Sequence, residues 1–323
     1  MIEISTKIHK ELAKNCRISV SKLARALNIS RDKAENEIKK LEKEEIIKQY
    51  TINLNYNKLG FETHTILLKF KNSIIEKEIN TAEKFLKTTQ YITKTQKLNG
   101  EWDLLLHIVS KNSSDLHQAI KQIKQNIPLT KFKLLTIVSE YESNLETTPS
   151  KTQTKKTQID LNFAQKKFEC ENYELDQIDL KLIKALKENS RASITQISKT
   201  TTLSPRIISY RISELEKKQI INYEIKLNKK LNPQKYLLFF NSNTLSQNTI
   251  TAQIAISKLL NFNKITKIQS TIGDSEFIID ITATEFSEII KLNQQINQIT
   301  NTENLQILLK SENKNFIRTI KSK

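Results

Sequence analysis

The chain has 323 residues, of which 37% are hydrophobic and 27% charged, and its formal net charge is +17. This composition is typical of a globular protein of roughly two to four domains and excludes a chain dominated by low-complexity disorder. No apolar run approaches the roughly 18 residues of a transmembrane helix, and the amino terminus lacks the apolar segment of a signal peptide. We therefore expect a cytoplasmic protein that does not contact a membrane.

Positive charge is present in both halves of the chain. Residues 1–145 contain 25 basic and 17 acidic side chains, and residues 175–323 contain 22 and 13. A surplus of this kind favours a polyanionic partner, and nucleic acid is the usual one. Cys16 and Cys170 are the only cysteines, and the four histidines show no short metal-ligand spacing. We therefore expect no disulfide framework, no metal site and no cofactor.

The two halves are copies of one sequence pattern. A shift of 174 residues aligns Arg17 with Arg191, and after a one-residue deletion a shift of 173 aligns Gly100 with Gly273. The match extends through roughly 145 residues of each half, which indicates a duplicated two-domain unit rather than a short solenoid repeat. The first half is called copy one below, and the second half copy two.

The first third of each copy predicts three helices. In copy two, Asp176, Ser193 and Ser204 are suitable N-caps, and Pro205 fits the first position of the third helix, where its missing N–H costs nothing. The third helix then repeats apolar residues at i, i+4 and i+7, as a buried helix face requires. Only about four residues separate the second and third helices, which predicts a helix-turn-helix. Copy one repeats the pattern with caps at Ser19 and Ser30 and with the apolar residues Ala34, Ile38 and Leu41.

The third helix of a helix-turn-helix lies in the major groove of DNA and presents its outward side chains to base edges and phosphates. Arg206 has the geometry to contact guanine O6 and N7 together. Glu37 stands where copy two has Arg211, and its carboxylate would repel a phosphate. The candidate DNA-binding residues are Ser30, Arg31, Lys33, Asn36 and Lys40 in copy one and Ser204, Arg206, Ser209, Tyr210 and Arg211 in copy two.

The remainder of each copy follows a βαββαβ order, which predicts a ferredoxin-like α/β sandwich and an α+β fold for the whole chain. Gly100 and Gly273 fall in the turn between the second and third strands, where the backbone needs a positive φ. The predicted strands are 65–70, 92–98, 102–109 and 131–139 in copy one and 236–241, 265–272, 277–282 and 305–310 in copy two. The predicted helices are 75–86, 114–127, 250–260 and 286–299.

Each copy resembles the Lrp/AsnC family, the leucine-responsive or "feast or famine" transcription regulators. Each motif is weak alone, but their order and spacing across both copies are specific. The resemblance implies a winged helix-turn-helix domain followed by a ligand-sensing domain that dimerises through its sheets. It also implies that small effectors, often amino acids, bind between sensing domains. The motifs are Arg191-Ala192-Ser193, Leu203-Ser204-Pro205 and Leu215-Glu216 in copy two, and Arg17-Ile18-Ser19, Leu41-Glu42, Leu59-Gly60-Phe61 and Gly100-Glu101-Trp102-Asp103 in copy one.

The resemblance also implies domain boundaries and an effector site. We expect helix-turn-helix domains at 1–55 and 175–228, sensing domains at 56–145 and 229–323, and a linker at 146–174. The family's glycine-x-aromatic-aspartate loop is intact in copy one but reads Gly-Asp-Ser-Glu in copy two, so we expect copy one to respond more strongly to an effector. The candidate effector-binding residues are Gly100, Trp102, Asp103, Gly273, Asp274 and Glu276.

Two departures from the family pattern lead to further expectations. Family members normally carry one copy per chain, so the fusion predicts that one chain forms the equivalent of a family dimer, with higher oligomers left open. The usual glycine between the second and third helices is replaced by Asn28 and Thr202. Asparagine tolerates the left-handed conformation better than threonine does, so we expect strain or a different closure in copy two.

The residues and the resemblance together predict a sequence-specific transcription regulator on the nucleoid that is not an enzyme. One alternative is an architectural protein that packs DNA with little regard to sequence. The other is a siroheme-decarboxylase-like enzyme, since those enzymes resemble this family and occur as paired domains. Such an enzyme needs cationic side chains for the carboxylates of a tetrapyrrole, and Arg318 is the only arginine in the two sensing domains.

Overall fold

The computed structural model describes residues 4–5, 7–8, 11–12, 15–71, 82, 84–86, 88–89, 91–142, 173–228, 234–242, 245 and 249–311. Cys170, Arg318 and nearly all of the predicted linker therefore lie outside the described residues, and so does most of the predicted helix 75–86. The chain divides into two compact units. The helix-turn-helix unit comprises residues 1–60, 170–232 and 321–323, and the sensing unit comprises residues 61–169 and 233–320.

The helices and the sensing-unit strands with defined bounds follow the order that the sequence predicts, and each unit takes elements from both copies. The helices are α1 (Val20–Ala26), α2 (Arg31–Lys43), α3 (Ser113–Asn126), α4 (Gln177–Glu188), α5 (Ile194–Thr201), α6 (Pro205–Lys217), α7 (Thr249–Leu260) and α8 (Phe286–Thr300). The strands are β1 (Ile47–Leu54), β2 (Glu62–Phe70), β3 (Ile92–Asn99), β4 (Leu104–Ser110), β5 (Leu129–Glu142), β6 (Ile221–Leu227), β7 (Gln234–Ser242), β8 (Ile265–Gly273), β9 (Phe277–Ala283) and β10 (Thr302–Ser311).

The helices of the helix-turn-helix unit begin where the sequence places their caps. Ser19, Ser30 and Ser204 each accept a hydrogen bond from a backbone N–H in the first turn of α1, α2 and α6. Asp176 and Ser193 form complete capping boxes on α4 and α5. Each cap satisfies a donor that the helix itself leaves open and contributes about 1 kcal/mol. Residues 4, 5, 7, 8, 11 and 12 are also helical.

The two helix-turn-helix domains are joined by an antiparallel pair of strands, β1 and β6, which the sequence did not predict. Ile52 pairs with Tyr223, and Leu54 pairs with Ile221. Beside this ribbon, Cys16 Sγ lies 2.9 Å from Ser190 Oγ, at equivalent positions of the two copies. Each copy also contributes an arginine that donates to backbone carbonyls of the other: Arg17 to Ser190 and Ala192, and Arg191 to Cys16.

In the sensing unit, eight strands form a closed barrel in the order β10-β3-β4-β2-β5-β8-β9-β7. Four consecutive strands come from each copy, and each set has the strand order of a ferredoxin-like sheet. Two seams join the copies, β5 with β8 and β10 with β3. Because side chains alternate along a strand, one face of each sheet packs on helices and the other faces the second sheet. The residues buried between the sheets include Leu67, Trp102, Leu105, Leu135, Phe239, Ile278 and Leu308.

The strands confirm the predicted βαββαβ order, although several begin or end two or three residues from the predicted bounds. One of these differences affects a candidate effector loop. The third strand of copy one was expected from Trp102, but β4 begins at Leu104. Trp102 and Asp103 belong to the preceding turn. The backbone of Asp103 still bonds to both neighbouring strands, since its N–H donates to the carbonyl of Leu68 and its carbonyl accepts from the N–H of Leu98. The side chain of Trp102 is nevertheless buried between the two sheets.

At Gly273 the two copies approach closely across the β5–β8 seam. This glycine pairs with Leu135, has φ +146°, and a Cβ at this position would lie 2.5 Å from Leu134 O and 2.8 Å from Leu135 Cδ2. Gly100 has φ +129°, but a Cβ there would meet only Leu308 Cδ2, at 3.3 Å. Both glycines are needed for their backbone conformation, and Gly273 is also needed for the approach of the two copies.

Gly273→Ala is expected to destabilise the sensing unit by about 1–3 kcal/mol more than Gly100→Ala does, because a backbone oxygen cannot move aside as a leucine side chain can. Both variants bear similar φ strain, so their difference reports the steric contact. Thermal and urea unfolding of the two variants and the parent chain measures it. Equal destabilisation would contradict the close approach at Gly273.

Candidate nucleic-acid interface and sensing seams

The outward face of α6 carries the candidate DNA-binding residues of copy two. Ile208, Ile212 and Leu215 are buried in the domain, and Arg206, Ser209 and Tyr210 are exposed away from them. Tyr210 is 63% exposed, and Ile207 beside it is 40% exposed. The first turn of α6 contains no acidic residue, and Ser204 caps it. A helix N-terminus of this kind attracts phosphate, and the exposed side chains can reach base edges.

The equivalent helix of copy one, α2, has a more highly charged surface. Arg31, Lys33, Asn36 and Lys40 are all exposed, as the sequence predicts, and Ser30 caps the helix. Acidic residues accompany them on the same helix, among them Asp32 in the first turn and Glu35, which is 2.8 Å from Lys39 Nζ. The two reading helices therefore differ in their outward residues and not only at Glu37 and Arg211.

The turn between the second and third helices of each copy contains a residue in the left-handed conformation. Asn28 has φ +52° and Thr202 has φ +60°, both in the left-handed region. Thr202 is β-branched, so this conformation costs it more than it costs asparagine. Its hydroxyl donates to the carbonyl of Thr201 at 2.6 Å.

Arg211 binds carboxylates within its own domain. Its guanidinium lies 2.6 Å from Asp176 and 3.5 Å from Asp179. Asp179 is only 1% exposed, burial raises the pKa of its carboxyl group, and Tyr173 also donates to it, at 3.0 Å. The equivalent position in copy one is Glu37, which accepts a hydrogen bond from Ser5, the residue aligned with Asp179.

At the β10–β3 seam, the predicted effector loop of copy one meets copy two. Trp102 Nε1 donates to Gln306 Oε1 at 3.3 Å, and the Gln306 amide donates to Glu101. Glu101 also pairs with Lys131 at 2.9 Å. Asp103 faces its own copy, since Lys69 Nζ and the backbone N–H of Phe70 both donate to it, at 2.7 and 2.8 Å. The exposed carboxylate of this loop is therefore Glu101, which the sequence did not single out.

The loop of copy two makes matching contacts with different residues. Glu276 accepts from the backbone N–H of Ser242, as Asp103 does from Phe70 in copy one. Ser275 occupies the position of Trp102 and accepts from Lys133 Nζ at 2.7 Å. Burial lowers the pKa of Lys133, against the attraction of Asp274 and Glu101. Asp274 is exposed beside Gly273. Glu276 thus has the same structural role as Asp103.

A polar group lies between the two sheets that the sequence did not predict. His107 and Asp280 occupy equivalent positions, and Lys94, Lys267 and Lys310 are close enough to influence both. Burial and the three ammonium groups hold the pKa of His107 well below its usual value, so it is neutral. Burial opposes ionisation of Asp280, but Lys310 and Lys267 outweigh it and lower its pKa. The 173-residue shift aligns His107 with Asp280, and this alignment is the sequence signal from which the polar group could have been predicted.

Comparison with known proteins connects these surfaces to a function. Residues 175–216 match the AsnC-type helix-turn-helix domain, and residues 3–48 match a winged helix-turn-helix DNA-binding domain. These matches make the chain similar to the Lrp/AsnC family. An uncharacterized HTH-type transcriptional regulator of Pyrococcus furiosus is 28% identical over 122 residues, which is 38% of this chain and 80% of the relative. A similar regulator of Pyrococcus abyssi is 29% identical over 122 residues, with the same coverage.

A solved structure extends the likeness to both copies. The siroheme decarboxylase NirDL covers 97% of this chain and 92% of its own, with a TM-score of 0.60 at 11% sequence identity. The chain therefore shares its paired architecture with that enzyme, and at such low identity the likeness concerns the fold alone. Within the described ranges, no group of His, Cys, Asp and Glu side chains is arranged to hold a metal ion. No helix among those residues is long and apolar enough to span a membrane.

The ion pairs of Arg211 give this side chain a structural contribution that unfolding experiments can measure. Arg211→Ala is expected to lower the free energy of unfolding of the helix-turn-helix unit by about 3 kcal/mol, because it leaves the buried Asp179 carboxylate without its cation. Arg206→Ala is the matched control and should change it by no more than about 0.5 kcal/mol, since Arg206 is exposed. Urea unfolding followed by circular dichroism measures both. Unchanged stability of Arg211→Ala would contradict a structural role for this arginine.

Proposed function

We propose that the chain binds double-stranded DNA sequence-specifically, with α6 reading base edges and α2 contributing mainly phosphate contacts. The observation that carries this proposal is the exposed set of Arg206, Ser209 and Tyr210 at the capped, acid-free N-terminal end of α6. Arginine at such a position can contact guanine O6 and N7 together. The cytoplasmic nucleoid is the setting in which this activity would regulate transcription.

We further propose that one chain acts as the equivalent of a family dimer. The β1–β6 ribbon, the reciprocal arginines and the two barrel seams all join copy one to copy two within a chain. Fusion keeps the effective concentration of one copy around the other near the millimolar range, which favours pairing within the chain. Because α2 and α6 expose different side chains, the preferred DNA would contain two unequal half-sites about one helical turn, or a multiple of it, apart.

The test is selection of binding sites from random DNA, followed by titration of variants at several salt concentrations. Arg206→Ala is expected to weaken binding to the selected site by about 1–3 kcal/mol and to relax specificity at one position. Lys33→Ala should weaken binding to all sequences similarly and make the salt slope shallower by about one unit.

Two outcomes would contradict these proposals. Discrete selected sequences distinguish a regulator from an architectural protein, so failure to enrich any sequence would favour sequence-tolerant packing. Selection of a perfect palindrome would exclude unequal half-sites. Light scattering that always finds two chains for each pair of sensing domains would exclude the single-chain dimer equivalent.

The enzyme alternative has one observation in its favour, the cluster around His107 between the sheets of a fold that resembles NirDL. We infer that it is not a decarboxylase site, since its positive charge is largely used within the protein. Lys310 binds Asp280, and Lys267 binds Glu140 at 2.6 Å. Little charge remains to hold the carboxylates of a tetrapyrrole. Titration with an iron tetrapyrrole, followed by its absorbance, distinguishes the two functions.

We propose in addition that an amino acid or another small effector binds where the Gly100–Asp103 loop meets copy two. The Trp102 N–H, the Gln306 amide and the Glu101 carboxylate are polar groups that can exchange their present partners for those of a ligand. The ammonium group of an amino acid would replace Lys131 or the Gln306 amide on Glu101. Self-association beyond one chain would follow from the same sensing domains.

Glu101→Ala and Asp274→Ala form a matched pair, because these exposed carboxylates occupy equivalent positions of the two loops. In a thermal-shift and calorimetric screen of amino acids, Glu101→Ala is expected to weaken effector binding by at least about tenfold, the loss of one charged hydrogen bond. Asp274→Ala should leave the affinity unchanged. Equal losses in both variants, or no binding by any amino acid, would contradict the stronger response of copy one.

A further inference from the structure

Two large apolar side chains are exposed on the reading helix of copy two. Ile207 is 40% and Tyr210 is 63% exposed, and they are neighbours at i and i+3 on α6. The core of the helix-turn-helix domain is filled by the opposite face, where Ile208, Ile212 and Leu215 are buried. Because residues three apart on a helix are neighbours, Ile207 and Tyr210 form one apolar pair that the domain does not bury and that another molecule can contact.

The surroundings of these two side chains favour DNA over a protein partner. They lie in the first two turns of a helix whose N-terminus is capped by Ser204 and whose first turn has no acidic residue. Arg206, which is exposed, precedes them directly. The positive end of the helix dipole and this arginine both attract phosphate. An apolar pair inside such a setting would reach the floor of the major groove while its neighbours bind the backbone.

The major groove offers one apolar group, the C5-methyl of thymine. We propose that Ile207 and Tyr210 recognise thymine methyl groups, so that copy two reads a thymine-containing half-site. This inference rests on the proposed binding of α6 to DNA. Lys33 and Asn36 occupy the equivalent positions of copy one, both polar and exposed. Copy one therefore has no apolar pair at these positions, and thymine preference belongs to the half-site under α6.

The test replaces thymine by deoxyuridine, which removes the methyl group and keeps the base pair. In the site selected from random DNA, uracil is placed at each thymine of one half-site and then of the other. The parent chain is expected to lose about fourfold in affinity for each contacted methyl group, the effect of one buried methyl-sized group. This loss should occur only in the half-site under α6.

The variants assign the loss to particular side chains. Ile207→Ala and Tyr210→Ala should each bind thymine DNA more weakly. At the thymine that the replaced side chain contacts, uracil substitution should then cost less than about twofold further, since that methyl contact is already gone. Both residues are exposed, so the substitutions leave the core intact. Lys33→Ala is the matched control and should retain the full fourfold effect of uracil.

The outcomes separate this inference from the proposed function. Equal affinity of the parent chain for thymine and uracil DNA would overturn thymine recognition while leaving DNA binding in place. A uracil effect that persists at the same thymine in both Ile207→Ala and Tyr210→Ala would also overturn it, because other side chains would then contact that methyl group. No binding to any DNA would overturn the proposed function itself.

Discussion

Backbone pairing between the two copies is the constraint on which the rest of the structure depends. The β1–β6 ribbon joins the helix-turn-helix domains, and the β5–β8 and β10–β3 seams close the barrel. A ferredoxin-like sheet that stood alone would leave its second face and its edge strands open to water. Here the second face of each sheet is covered by the other copy, around Leu105 and Phe239. The glycine at position 273 permits this approach because it has no side chain.

At several equivalent positions of the two copies, residues that contact each other have changed together. The two copies therefore carry different interacting pairs and are not interchangeable. Arg211 and Asp179 in copy two correspond to Glu37 and Ser5 in copy one, and each pair is hydrogen-bonded within its own domain. Between the sheets, a histidine at position 107 corresponds to an aspartate at position 280. A homodimer would place identical residues at both positions and so repeat any like-charge contact. Fusion removes this restriction, because each half of the pair can change separately.

The sequence predicted the fold well because local signals agreed with one another. The caps at Ser30 and Ser204 and the alternation in the sensing strands each follow from chemistry within a few residues. Contacts between distant residues could not be predicted in the same way. The strands β1 and β6 were missed because each is stabilised mainly by the other, about 170 residues away in the chain. For the same reason, the sequence pattern did not predict which carboxylates bind Arg211, nor the hydrogen bond from Lys133 to Ser275.

The two barrel seams also determine when the chain can fold during synthesis. Leu135 pairs with Gly273, and Asn99 pairs with Leu309, so neither seam exists until most of copy two has left the ribosome. In that interval copy one has two unpaired strand edges, β3 and β5, and an uncovered apolar face. Nascent chains in this state are prone to pair with other chains and are natural substrates for chaperones. The pairing that joins the two copies in the finished chain therefore leaves the first half without its partner strands while the second half is made.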